Sequence, residues 1–301
     1  MKKASLLNGY WKSFLVVLGV AMLLRFLGLN TYPPQFDQTQ ALRILTATLG
    51  VFSIGIYMVL VQKLTRSRIL SLTSGLILGL MPWHIEQSRI ASAPLWGLTV
   101  LLGGLFLIVT LRNTWLRIAV VVGACLVFWR VYPSFWPLVQ SFIWPGWSTF
   151  LLRLFRLISV EFLFFANDSF WWGGLRTIGV FTVGLLPFFL AGCLYTVIHF
   201  NKQTLKWGGL FVLIWIIAAL TPHFPEGREF FLTTPFLALI SGLGLHRVWR
   251  IWRAPSNMVT KLIIAGCVLF FLYDYIIFIH FYTNHYSPRI RNETLEHRPI
   301  F

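Results

Sequence analysis

The chain has 301 residues, of which 57% are hydrophobic and only 11% charged, whereas a soluble domain carries about a quarter charged residues. With a mean hydropathy of +0.74, it holds more apolar surface than a soluble fold of this length can bury. The net charge of +16 therefore reads as basic loops flanking a membrane, and no nucleic-acid partner is expected.

The basic start, Met1-Lys2-Lys3, precedes an apolar run with Arg25 inside it and no small-residue cleavage site. It is expected to be an uncleaved first span and not a signal peptide. Runs long and apolar enough for lipid-spanning helices predict spans at 13–29, 41–62, 69–84, 94–111, 118–136, 178–199, 207–222, 230–247 and 259–280. The expected fold is all-α: one polytopic transmembrane helical bundle over 1–301, with about nine spans. Between the fifth and sixth, 137–177 is too broken by Pro145-Gly146 and Asn167-Asp168 for a plain crossing. It is expected to be an interfacial loop holding one flat amphipathic helix, roughly 148–165. A re-entrant or tenth span there stays open, and 281–301 is expected to be an outer tail. Cys125, Cys193 and Cys267 each sit in an apolar run, which argues against a disulfide framework or a cysteine metal site.

Charge predicts the orientation. Loops on the N-terminal side carry every lysine, and basic residues mark the cytoplasmic face. The opposite side, or the outer end of a span, takes all nine acids: Asp37, Glu86, Glu161, Asp168, Glu226, Glu229, Asp274, Glu293 and Glu296. Arg43, Arg89, Arg130, Arg153, Arg156, Arg176 and Arg228 share that side. A forked guanidinium suits bidentate binding of phosphate, and Arg153 and Arg156 would hold lipid phosphate.

Three outer segments carry groups able to do chemistry. In Tyr32-Pro33-Pro34-Gln35-Phe36-Asp37-Gln38 two prolines fix an extended backbone ahead of the loop's one acid. Asp37 is either a general base or metal ligand, or a solvated loop aspartate. Pro82-Trp83-His84-Ile85-Glu86-Gln87-Ser88-Arg89 packs an imidazole, a carboxylate and a guanidinium into six residues. If helical, it sets His84 over Ser88 and Glu86 over Arg89; a structural Glu86–Arg89 pair is the alternative. Pro222-His223-Phe224-Pro225-Glu226-Gly227-Arg228-Glu229 reads as a rigid turn whose His223 and Arg228 suit a phosphate. None of these is a metal-ligand spacing such as HExxH, so no metal site is assigned, though a divalent cation stays open as a cofactor. No Walker loop, GxGxxG or GxSxG occurs, which argues against a cytoplasmic nucleotide enzyme.

With these segments in view, the chain resembles the GT-C superfamily of membrane glycosyltransferases, in its protein mannosyltransferase and aminoarabinose transferase branch. The resemblance runs through Leu23-Leu24-Arg25-Phe26, Tyr32-Pro33-Pro34, Ala41-Leu42-Arg43, Pro82-Trp83-His84 with Ser88-Arg89, and Glu161-Phe162-Leu163-Phe164-Phe165-Ala166-Asn167-Asp168. It continues in Arg228 with Pro235 and in the aromatic stretch from Tyr273-Asp274-Tyr275 to Tyr282. The resemblance implies a polyprenyl-phosphate sugar donor, met from the outer leaflet of a bacterial inner membrane with the N-terminus cytoplasmic. It makes Asp37 the base that deprotonates the acceptor, and Arg89 and Arg228 contacts to the donor phosphate. Glu86 and Asp168 would be helper carboxylates, with Arg43, His84 and His223 completing the phosphate cradle. A sugar hydroxyl is a weak nucleophile near neutrality, so a carboxylate base suits it. The chain departs from the family in its first outer loop. About ten residues separate Pro33 from the second span, and Gln38 stands where relatives carry the second acid of an Asp-Glu pair.

Two readings of function follow. One is a glycosyltransferase moving a sugar from a polyprenyl-phosphate donor to an acceptor on the outer face. The other is a catalytically inactive scaffold of the same fold that binds a lipid-linked glycan or a partner enzyme. A transporter would favour ionisable residues buried mid-span, and Arg130 and Asp274 come nearest to that.

Overall fold

The computed structural model describes residues 2–27, 29, 40–90, 92–131, 146–165, 179–199, 202–220, 229–255 and 257–284. Among them the secondary structure is helical, with no strand. Eleven α-helices follow in chain order: α1 Lys2–Phe26, α2 Gln40–Thr65, α3 Arg68–Leu80, α4 Pro82–Arg89, α5 Ala93–Thr110, α6 Thr114–Val131, α7 Trp147–Leu157, α8 Leu186–Ile198, α9 Lys202–Leu220, α10 Thr234–Arg253 and α11 Met258–Asn284. Short turns at Glu161–Phe165, Val183–Leu185 and Glu229–Thr233 link some of them.

Four helical stretches are long and apolar enough to cross a bilayer: Gly9–Phe26, Gln40–Thr65, Phe230–Arg253 and Met258–Asn284. A fifth arises if Arg68–Leu80 and Pro82–Arg89, bent by 61° from one another, count as one broken span. Shorter apolar helices lie at Pro94–Thr110, Thr114–Val127, Val183–Ile198 and Trp207–Leu220. The chain is thus an integral membrane protein by the length and composition of its helices. Helices suit this setting because they satisfy their backbone groups internally, where lipid offers no hydrogen bonds.

Proline starts several of these helices. Pro82, Pro94, Pro187 and Pro235 each sit in the first turn, where a missing N–H costs nothing and the fixed φ is already helical. Ser67 caps α3 by accepting from Leu70 N at 3.2 Å, and Asn257 does the same for α11 through Thr260 N at 2.8 Å.

The core forms where α1, α2, α3, α5, α8 and α10 meet. Small residues set the closest crossing. A Cβ on Gly192 of α8 would stand 1.8 Å from Ile240 O, and one on Gly244 of α10 would stand 1.8 Å from Phe188 O. The two backbones therefore touch, as membrane helices do when glycine lies at their interface. Polar ties cross the core as well. The Tyr57 hydroxyl of α2 donates to Pro235 O of α10 at 2.8 Å, and Ser71 of α3 donates to Met58 O of α2 at 2.6 Å.

The structure refines two expectations. The amphipathic helix expected at roughly 148–165 is α7, which ends at Leu157, and the chain then bends into the Glu161–Phe165 turn. That turn is held by 179–181, with Phe181 N donating to Leu163 O at 2.8 Å. Asp274 proves structural: its Oδ2 accepts from Gly184 N at 2.6 Å, fixing the turn that leads into α8. The re-entrant alternative for 137–177 falls in part on 137–145 and 166–177, outside the described residues.

Candidate functional site

The eight residues of α4 have low hydropathy, yet all eight are buried. They fold back from α3 at Met81 and lie beside the end of α1, the start of α2 and the end of α11, whose Phe278 and Tyr282 pack on Ile85. Trp83 anchors the helix in an aromatic nest, edge-on to Phe231 at 5.3 Å and to Phe162 at 6.3 Å.

His84 is fully buried at the centre of a hydrogen-bonded chain. Arg25 Nη2 lies 2.7 Å from His84 Nδ1, and His84 Nε2 lies 3.2 Å from Ser53 Oγ. A guanidinium only donates, so Nδ1 must accept and the imidazole proton resides on Nε2. Nε2–H then donates to Ser53, whose hydroxyl donates to Gly50 O at 2.8 Å. Both ring nitrogens are engaged. His84 thus ties α1, α2 and α4 together as a neutral imidazole.

Each of three buried arginines donates to the end of a helix. Arg25 Nη1 donates to Ala21 O at 2.9 Å and to Gly79 O, in the last turn of α3, at 3.2 Å. Arg89 donates through Nη1 to Leu24 O at 3.3 Å and through Nη2 to Leu27 O at 2.8 Å, closing the end of α1. Arg43 Nε donates to Arg89 O, the last carbonyl of α4, at 3.2 Å. All but Ala21 O belong to helix ends, where carbonyls have no internal partner. The Arg89 guanidinium also lies over the Tyr282 ring, 5.3 Å from its centroid.

Glu86, only 3% exposed, lies within electrostatic range of the Tyr282 hydroxyl, as do Arg25, Arg43 and Arg89. Arg25 Nε and the Tyr275 hydroxyl are buried with no hydrogen-bond partner among the described residues. Gly50 makes room for the cluster: a Cβ there would fall 2.5 Å from Ser88 Cβ and 3.2 Å from Arg25 Nε. Among the described residues no group of three or more His, Cys, Asp or Glu gathers as a metal site would need.

Of the residues predicted from sequence, Arg43, His84, Glu86 and Arg89 come together in this cluster. Asp37, Asp168, His223 and Arg228 lie outside the described residues. In the chain, Asp37 stands three residues before Gln40, where α2 begins at the same end of the bundle. Sequence reasoning did not assign Arg25 to the site. The signal was present, since an arginine inside an apolar span marks a partner or a function. No family model matches the chain, and no curated protein is similar to it.

Proposed function

We propose that the chain is a membrane glycosyltransferase of GT-C type, moving a sugar from a polyprenyl-phosphate donor to an acceptor on the outer face of a bacterial inner membrane. The supporting observation is convergence. Arg43 of α2 meets His84, Glu86 and Arg89 of α4, some forty residues on in sequence, in one buried cluster. Arg25 adds a third guanidinium, and its Nε–H, like the Tyr275 O–H, is a buried donor suited to a phosphate oxygen. In this reading Asp37 takes the proton of the acceptor hydroxyl as that oxygen bonds to the sugar's anomeric carbon. The carbon–phosphate-oxygen bond breaks, and polyprenyl phosphate leaves with the electron pair. His84 orients the cluster and does not touch phosphate, because its nitrogens are already taken. The reading takes the nine apolar helical stretches as nine crossings, with the N-terminus cytoplasmic.

Transfer from a labelled polyprenyl-phosphate sugar, measured in membranes holding wild type or Asp37→Asn, tests it. Loss of at least ~100-fold is expected, the scale of a general base. Undiminished transfer removes Asp37 from the mechanism. The scaffold reading draws on a separate observation, that Arg25, Arg43 and Arg89 all donate to helix-end carbonyls. It expects donor binding with no turnover by the wild type.

A further inference from the structure

A second site lies away from the polar cluster, at the end of the bundle where α2 finishes and α3 begins. There a cavity of about 360 Å³ opens between α9 and the tightly crossed α8–α10 pair, a size typical of small-ligand sites. Its walls are largely apolar, with Leu70, Phe211, Phe236, Leu239, Ile240 and Leu243, and its polar rim includes Tyr195 and His199. Gly208 of α9 lines it too, and a Cβ on that residue would meet nothing within 4 Å. This glycine differs from Gly192 and Gly244, which are needed for contact. It faces open space.

The rim is basic. Arg247 lies over the Tyr195 ring at 5.7 Å, and His199 stacks on the same ring at 4.2 Å. Arg66 and Arg68 flank the α2–α3 turn next to Thr65 and Leu70 of the lining, and Arg250 and Arg253 follow on α10. Among the described residues, the acids Glu86, Glu161, Glu229 and Asp274 belong to α4, the Glu161–Phe165 and Glu229–Thr233 turns and α11, none of which lines the cavity.

We propose that this cavity binds an anionic phospholipid, one acyl chain lying between α9 and the α8–α10 pair and the headgroup phosphate meeting Arg247. Two features select that ligand over other apolar molecules: an apolar slot in a protein that itself lives in lipid, and a cationic rim that favours phosphate with net negative charge. The site is independent of the glycosyltransferase reading, because it shares no residue with the polar cluster.

The full chain, purified in detergent and offered equal amounts of dioleoyl phosphatidylglycerol and dioleoyl phosphatidylethanolamine, is read by native mass spectrometry. Wild type is expected to retain one phosphatidylglycerol at least fivefold over phosphatidylethanolamine. Gly208→Leu puts a side chain into the cavity from a Cβ that meets nothing within 4 Å, and is expected to cut retained lipid about tenfold. Gly209→Leu, beside it but outside the lining, is expected to leave retention unchanged. Arg247→Gln is expected to abolish the headgroup preference while a lipid is still held. Equal retention of the two lipids by wild type overturns the proposal, as does undiminished lipid on Gly208→Leu. Loss as large with Gly209→Leu as with Gly208→Leu also overturns it, since the effect then does not come from the cavity.

Discussion

Substituting Gly50 by alanine tests the geometry that builds the polar cluster. Outside its surroundings the change should stabilise, because alanine is favoured over glycine in a helix by ~1 kcal/mol. Inside them, the new methyl stands 2.5 Å from Ser88 Cβ, against an optimum of ~3.5–4.0 Å between carbon atoms. Ser88 Cβ is bonded directly to the backbone and cannot swing aside, so α2 and α4 must part by roughly 1 Å. That motion stretches the chain from Arg25 through His84 to Ser53, whose links are 2.7 and 3.2 Å. Overpacking of this kind costs ~1–3 kcal/mol, more than the helical gain returns. Gly50→Ala is expected to destabilise by ~2 kcal/mol, read as a drop of several degrees in the unfolding midpoint of the detergent-solubilised protein.

The double variant Gly50→Ala with Ser88→Gly isolates the contact. Removing Ser88 Cβ leaves Arg25 Nε, at 3.2 Å, as the nearest remaining atom, a separation that a small shift of the methyl relieves. The two changes should couple favourably by ~1–2 kcal/mol, as contacting residues do. A Gly50→Ala protein at least as stable as wild type would refute the close approach of α2 and α4, and with it the cluster's architecture.

Substitutions at two further positions use the same unfolding measurement. His84→Ala strands Arg25 Nη2 in the interior, while Ser53 keeps its bond to Gly50 O, and is expected to cost ~3 kcal/mol, as the loss of a partner to a buried charged donor does. His84→Gln, with an acceptor and a donor of its own, should recover more than half of that; equal losses would show that packing and not hydrogen bonding dominates. Asp274→Leu leaves Gly184 N without its acceptor and is expected to cost ~2 kcal/mol, whereas Asp274→Asn, which keeps a carbonyl oxygen, should cost ~1 kcal/mol or less. If Asp274→Asn were the worse of the two, the charge would matter beyond the turn it holds.

Hydropathy exposed the helices because a lipid-spanning segment must be apolar along its own length, a local property. Every one of the nine predicted spans carries a helix. It could not show that Pro82–Arg89 is interior, because that segment's burial depends on partners distant in sequence. Arg89 reaches Leu27, 62 residues away, and His84 reaches Arg25, 59 residues away. Read alone, PWHIEQSR looks like a polar span end. Its His84 and Arg89 can be interior because Arg25, Ser53 and the end of α1 give them partners. The same limit hid Arg25, whose sequence neighbours are all apolar, and the cavity at Gly208, whose lining comes from helices distant in sequence. The helical spacing of His84 and Ser88 was legible, since α4 is a helix.

The choice of arginine at the cluster follows from the chemistry of helix ends in lipid. The final carbonyls of α1, α3 and α4 come to one end of the bundle, where water cannot serve each of them. A lysine offers three donors from a single atom, whereas arginine spreads five over a rigid fork. Arg25 uses that spread: one nitrogen spans Ala21 O and Gly79 O while another holds His84. A lysine ammonium in place of Arg25 could satisfy one such direction but not the set. The same fork leaves Nε–H of Arg25 beside Gly50 and Ser88, directed by a guanidinium that the two helix ends have already fixed. In the proposed reading, a cap that immobilises its own cation in this way offers a donor to a phosphate oxygen without further ordering, so one set of contacts would serve both roles.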